Sequence, residues 1–342
     1  MAIWLFRAGR TGEYENKFIE DGKIYLTWDQ LNVNLKNFKE KIDLYNYLNE
    51  NYPAEKPGRN RNWVGQIWPI AHDIKKEDWI ILPSKINSSI HIGEVTSEYI
   101  YNKKAEEPFY HSMNVKWFKL DVPRSNFDQD LLYSFGAFMT VCRITRNDAE
   151  NRIRKMEKNN WKSSQTFAIN KAEKFLGEES ENIDLEQYAI DSIAKFIIQK
   201  FKGHRMTELI EAMLIAQGYS THKSPEGPDK GVDILAAPGP LGFGHPRICV
   251  QVKTQDNPIE RIVLDQLIGT MQNFSAEQGL LISWSGFKNS FNKEIPAQFF
   301  KVRLWDQKDI VRELFNVYDK LDEDIKSEIP LKKIWTLTKI EE

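Results

Sequence analysis

The chain has 342 residues, with 47 Lys and Arg set against 49 Asp and Glu for a net charge of −2. Such a length suits two domains better than one, and the balanced charge excludes a grip on nucleic acid through overall positive field; local patches must supply it. No run approaches the ~20 apolar residues of a membrane span, no N-terminal stretch has signal-peptide form, and Cys142 and Cys249 lack metal-ligand spacing, so a cytoplasmic protein with buried free thiols and no membrane partner is expected.

The first half is built from short apolar segments: Ile3 to Phe6, Lys23 to Trp28, Trp79 to Pro83, Ile90 to Val95 and Val115 to Phe118. Five of them in this length predict a small β-barrel-like domain, with helical spacing in the inserts Leu35 to Leu48 and Trp63 to Ile74. Asp78-Trp-Ile-Ile-Leu82 followed by Ile92-Gly-Glu-Val95 is similar to the EVE and PUA-like fold, although Glu77 stands where that pattern has glycine. The resemblance implies a reader that holds an extruded, modified base. Stacking on an aromatic contributes ~1–3 kcal/mol per base, which offsets the cost of unstacking. Trp28 and Trp63, each amid polar residues, are the favoured walls, with Trp4 and Trp79 as further candidates; any one Trp is equally well explained as core. Arg7 and Arg10 are polar partners, and Arg59 and Arg61 of the basic run Lys56 to Asn62 are candidate phosphate contacts.

Pro123 to Arg143 reads as an apolar helix packed on that domain. From Arg152 to Glu186 the chain is heavily charged, with helical spacing over Thr166 to Leu176. The expected division is a base-recognition domain over 1–150, a partly helical linker over 151–186 and a second domain over 187–342. Tyr188, Ile190, Ile193, Ile197 and Phe201 predict the amphipathic helix that opens this last domain. Helices follow at Thr207 to Gln217, Leu264 to Met271, Phe291 to Phe300 and Asp309 to Leu321. Strands follow at the Asp233 and Gln251 runs, Gly279 to Ser283 and Val302 to Trp305. The pattern predicts a mixed α/β sheet flanked by helices, α+β for the chain as a whole.

Gly231 to Lys253 carries the chemistry. Gly-Val-Asp233-Ile-Leu-Ala-Ala and Ile-Cys-Val-Gln251-Val-Lys253 are apolar runs joined by a Pro/Gly-rich reversal. Alternation puts Gln251 and Lys253 on one face of their strand. A hairpin would bring an acid, an amide oxygen and an ammonium to one spot, the parts needed for metal-assisted phosphodiester hydrolysis. Asp233 offers a hard oxygen to Mg²⁺ or Mn²⁺, Gln251 a neutral one, and Lys253 a movable positive charge for the attacking water or the phosphate. A further acid is wanted nearby, and Glu208 or Glu211 on the preceding helix can supply it. Lys230, in the Pro/Gly loop before Asp233, is placed to meet a phosphate.

The helix ending at Gly218-Tyr219, then Gly231-Val-Asp233-Ile, Val250-Gln-Val-Lys253 and Gly279-Leu-Leu-Ile-Ser283, resembles the Mrr-like branch of the PD-(D/E)XK restriction endonuclease superfamily over residues 188 to 320. Met206-Thr207 stands where such helices often carry Phe-Glu. The resemblance implies a restriction-endonuclease-like fold, a Mg²⁺-dependent nuclease acting on double-stranded DNA in defence, and with the first domain a dependence on base modification. One centre per chain favours a homodimer for cutting both strands. Two alternatives stay open: a non-catalytic nucleic-acid reader with a degenerate nuclease domain, and a nuclease whose first domain binds RNA or protein.

Overall fold

The computed structural model describes residues 1–52, 58–137, 139–163, 185–225, 231–288, 291 and 295–335. Lys230, Lys56 and the expected helix over Thr166 to Leu176 lie outside them. The chain divides into two compact units, Met1–Ser192 and Ile193–Glu342.

The first unit runs β1 (Ile3–Phe6), α1 (Glu15–Glu20), β2 (Lys23–Leu26), α2 (Lys41–Asn51), α3 (Arg59–His72), β3 (Trp79–Pro83), β4 (Ser89–Val95), β5 (Ile100–Tyr101), β6 (His111–Pro123), α4 (Gln129–Phe135), β7 (Val141–Arg143) and α5 (Ala149–Glu157). Its strands form one seven-stranded sheet in the order β2-β6-β4-β3-β1-β7, with β5 paired to β6. Because β1 and β3 pair in parallel with Ile3 opposite Trp79 and Trp4 opposite Ile80, Trp4 and Trp79 point to opposite faces. Each face has its own core. One gathers Trp4, Phe6, Ile24 and Leu26 under Leu44, Leu48, Ile67 and Ile70 of α2 and α3. The other gathers Ile3, Leu5, Trp79 and Ile81 under Leu131, Phe135, Ile153 and Met156 of α4 and α5.

Two expectations need correction here. Pro123 to Arg143 is not one helix: α4 ends at Phe135 before Gly136, and Val141–Arg143 instead pairs antiparallel with β1. Residues 151–163 are not linker, since Ile153, Met156 and Trp161 are buried in the second core. Charge alone misreads them, because Arg152 is spent on Asp128 at 2.7 Å and Asp130 at 2.5 Å, ion pairs largely removed from solvent.

The division between units falls within α6 (Leu185–Lys200). The second unit continues with α7 (His204–Ala216), β8 (Tyr219–Lys223), β9 (Ile234–Pro238), β10 (Ile248–Lys253), α8 (Arg261–Asn273), β11 (Gln278–Ser283), α9 (Ile295–Gln298), β12 (Val302–Trp305), α10 (Gln307–Val317) and α11 (Glu323–Glu328). The sheet order is β12-β11-β10-β9-β8. β8, β9 and β10 are antiparallel neighbours, while β10, β11 and β12 run parallel. The parallel pair β10–β11 is made possible by the crossover helix α8, which packs back on both. Cys249 and Leu281 meet Leu264, Leu267 and Met271 of α8 on that face. This is the expected mixed sheet flanked by helices, a restriction-endonuclease-like fold. The helix expected over Phe291 to Phe300 is described only as the short α9, and the last helix stops at Val317 rather than Leu321.

Candidate active site

The β9–β10 ladder ends at the pair Ile234–Val250. One residue earlier, the Asp233 N–H still donates to the Val250 carbonyl at 2.9 Å. The next backbone donor, Val252 N–H, is taken by the Asp233 carboxylate at 2.7 Å. A side chain thus replaces a backbone carbonyl at the point where the strands part, and that fork is what lets Asp233 and the end of β10 face open space. Gly231 has φ +82°, a conformation L side chains rarely adopt, so the glycine before Asp233 turns the chain into the strand.

The fork opens on a cleft of about 340 Å³ lined by Asp233, Val252, Lys253, Thr254, Ser224 and the start of α7. Asp233 and Lys253 therefore converge, both half-buried. The Lys253 ammonium has no ion-pair partner among the described residues. Gln251 does not line that cleft. It shares strand parity with Lys253 and with Cys249, deeper along β10, and a Cβ on Gly231 would lie 3.4 Å from the Thr270 hydroxyl and 4.0 Å from the Gln251 side-chain nitrogen. Gln251 is 4 % exposed, and its Oε1 has no hydrogen-bond partner among the described residues. A buried acceptor left so is costly unless something binds it.

The helical acids do not join the cleft. Glu208 lies 3.4 Å and Glu211 3.7 Å from Lys223 Nζ on β8. Glu208 also meets Arg205 at 3.3 Å, and Glu211 accepts from the Thr221 hydroxyl at 3.1 Å. From α7 the cleft receives His204 and Thr207 instead. Sequence reasoning gave neither a role: Thr207 drew notice only as the residue standing where such helices often carry Glu, and His204 reads as a turn or surface residue; their shared signal is the i, i+3 spacing on a helix that leads into the Asp233 strand. Among the described residues no three His, Cys, Asp or Glu side chains are placed to hold a metal together. Toward a hard cation the cleft offers the Asp233 carboxylate, and the unpaired Gln251 carbonyl lies two residues before Lys253 on the same strand. That sparse oxygen set fits Mg²⁺, which keeps several waters.

In the first unit Trp28 and Trp63 meet edge to face at 5.3 Å and 79°, both half-buried over the α2–α3 core. Tyr52 packs on Trp63 at 5.8 Å and gives its hydroxyl to the Asp29 carbonyl. Burial, with the nearby Tyr47, Glu107 and Asp29 adding to it, pushes the Tyr52 phenol up to about 12. The Arg59 guanidinium lies over Trp63 at 4.4 Å and donates to the Tyr52 carbonyl. Arg61 is exposed beside this cluster in sequence.

The other two Trp candidates are core. Trp4 is 6 % exposed with its Nε1 on Asp78 at 3.2 Å. Trp79 is 4 % exposed against Phe118 and Trp161, with Arg154 over its ring at 4.3 Å. Asp78 also accepts from Ala2 N and Lys75 N, so it ties the sheet end together. Arg7 is likewise structural, donating to the Ala137 carbonyl at 2.5 Å. Arg10 is exposed in a loop whose N–H groups at Arg10 and Thr11 are held by Glu13.

Residues 198–314 match the Mrr catalytic family model, described as "Restriction endonuclease", and residues 4–144 match a domain of unknown function. Two solved structures are similar. One is the DNA modification-dependent restriction endonuclease AspBHI, 13% identical over 81% of this chain and 76% of that one, at a TM-score of 0.32. The other is the MspJI restriction endonuclease in complex with a 27-mer oligonucleotide, 13% identical over 81% and 70%, at a TM-score of 0.30. No curated protein matches the chain.

Proposed function

The C-terminal part of this chain carries a restriction-endonuclease domain, and from that premise we propose that the protein is a metal-dependent DNA endonuclease whose first unit makes cutting depend on a modified base. The observation that supports it is the convergence of Asp233 and Lys253 at the fork between β9 and β10. Asp233 and Gln251 would hold a divalent ion, which when bound polarises the phosphoryl oxygen and acidifies a bound water. The protein's own contributions follow from the fork. The Val252 N–H fixes the Asp233 carboxylate at 2.7 Å. Lys253 brings a compact positive charge to the same cleft, where charge builds on the phosphate during hydrolysis. Double-stranded DNA is the partner this chemistry suits, a homodimer would supply a second centre for the second strand, and defence against foreign DNA is the role that fits.

Dependence on modification rests on the Trp28, Trp63 and Tyr52 cluster. Rings near right angles, with one face of Trp63 under the Arg59 guanidinium, offer a stacking wall where a base takes the place of that cation. A non-catalytic reader is favoured by a different observation, the pairing of Glu208 and Glu211 with Lys223 outside the cleft that Asp233 lines. Incubating modified and unmodified plasmids with Mg²⁺ and with EDTA separates the two. Cutting of modified plasmid with Mg²⁺, lost in Asp233→Ala, supports the enzyme. Binding without cutting in every metal supports the reader.

A further inference from the structure

We infer that the opening turn of α7 is a seat for a backbone phosphate, with Thr207 and His204 lining it in the cleft that Asp233 also lines. The inference deepens the nuclease reading and rests on it for the identity of the ligand. α7 is 13 residues long, its first turn contains no acidic residue, and its cap, Gly203, makes no side-chain cap bond. N–H groups and the helix dipole there favour an anion. Gly203 has φ 66° and ψ −132°, and a Cβ at that position would meet nothing within 4 Å, so the backbone is bare toward the cleft. The Gly203 N–H is tied to the Thr254 hydroxyl at 3.1 Å, which fixes the turn to the end of β10 beside Lys253.

Thr207 is the independent observation. It lines the cleft, is 4 % exposed, and its hydroxyl has no hydrogen-bond partner among the described residues. A threonine inside a helix ordinarily returns its hydroxyl to a carbonyl one turn back; this one is left for a ligand. Arg205, in the same turn, is committed to Glu328 at 2.6 Å and does not contribute. On this side the cleft brings together helix N–H groups, the Thr207 hydroxyl and the Lys253 ammonium, with the His204 ring among its lining. That set suits a phosphate oxygen, and it shares the cleft with the Asp233 carboxylate. In the working enzyme the seat would position the phosphate beside Asp233, making Thr207 and His204 positioning residues.

The test uses the full chain and a short duplex oligonucleotide, with affinity read by fluorescence anisotropy in EDTA, KM and kcat by cleavage in Mg²⁺, and folding by thermal melting. Thr207→Glu puts an anion in the seat and is expected to weaken duplex binding about tenfold or more. Thr207→Val and His204→Ala are expected to weaken it severalfold and to raise KM more than they lower kcat, while Thr207→Ser binds as the parent does. If Thr207→Glu does not fold, Thr207→Val and His204→Ala decide. Parent-like affinity and KM in those two overturns the seat. So does a Thr207→Glu chain that binds Mg²⁺ more tightly by calorimetry and cuts faster, because the position would then belong to the cation. The nuclease reading fails on a separate result, unchanged cutting by Asp233→Ala, and the EDTA binding assay is independent of that outcome.

Discussion

The two units handle their polar groups in opposite ways. In the first, buried carboxylates are consumed inside the fold. Glu15, 2 % exposed, accepts from the Ser84 hydroxyl at 2.7 Å, Lys85 N at 3.1 Å and the His91 ring at 3.1 Å. At its surface that unit also presents a half-buried aromatic cluster, Trp28, Trp63 and Tyr52. In the second unit the sheet itself is opened. Where β9 and β10 part, Asp233 satisfies one backbone donor, and the remaining polar groups, Lys253 and Thr207, face the cleft. A sheet that stays paired absorbs its charges; a sheet that forks presents them. That contrast separates the proposed stacking surface from the proposed site for chemistry.

The sharpest way to break the contrast is at the fork. Asp233→Ala should abolish cleavage, and Lys253→Ala should slow it on the order of 10²–10³-fold, the scale for losing one preorganised charge partner. Single-turnover cutting of a modified duplex reads both. Melting temperature should move little in Lys253→Ala, since its ammonium holds no ion pair among the described residues. Loss of folding in step with loss of cutting would return Lys253 to a structural role.

A second comparison lies within the first unit, between two tryptophans. Trp4→Ala removes a core side chain and should destabilise by ~3–5 kcal/mol. Trp63→Ala should cost far less stability and instead ~1–3 kcal/mol of binding to modified DNA. Denaturant melts and anisotropy on modified and unmodified duplexes separate the two. If Trp63→Ala binds both duplexes as the parent does, the aromatic cluster is only packing.

The first unit should also respond to acid. His111 is fully buried, gives its Nε2 proton to the Leu31 carbonyl at 2.6 Å and accepts at Nδ1 from the Tyr99 hydroxyl at 2.7 Å. Burial lowers its pKa to about 4, against the raising effect of the Leu31 bond. The folded value lies below the ordinary 6.5, so the unfolded chain binds the proton first. Stability is whole above about pH 6.5 and falls as pH drops toward 4, by up to about 3 kcal/mol. His111→Gln should flatten that slope in urea melts taken across the window; an unchanged slope removes His111 as its cause.

How much of this was legible in the sequence depends on what each residue needed. Asp233 and Lys253 stood out because polar groups interrupt apolar strands, and a hairpin brings them together with no other knowledge. Trp4 and Trp79 were misread as pocket walls because their burial follows from the parallel β1–β3 register, a long-range fact invisible in local spacing. Residues 151–163 looked like linker because the acids that neutralise Arg152 lie more than twenty positions earlier.

The helical acids show the same limit and give the smallest expected effect. His204, Thr207, Glu208 and Glu211 all fall on one i, i+3, i+4 row of α7, so spacing alone offers four side chains for one site. What divides them is Lys223, which draws Glu208 and Glu211 toward β8 and leaves His204 and Thr207 to the cleft. Glu208→Gln and Glu211→Gln should therefore leave the cutting rate within about threefold and change stability by no more than ~1 kcal/mol, the scale of partly exposed ion pairs. The same assays apply. A large rate loss in either, with folding intact, would mean that Lys223 releases the acid when DNA and metal arrive, and the carboxylate would move from the sheet edge into the catalytic set.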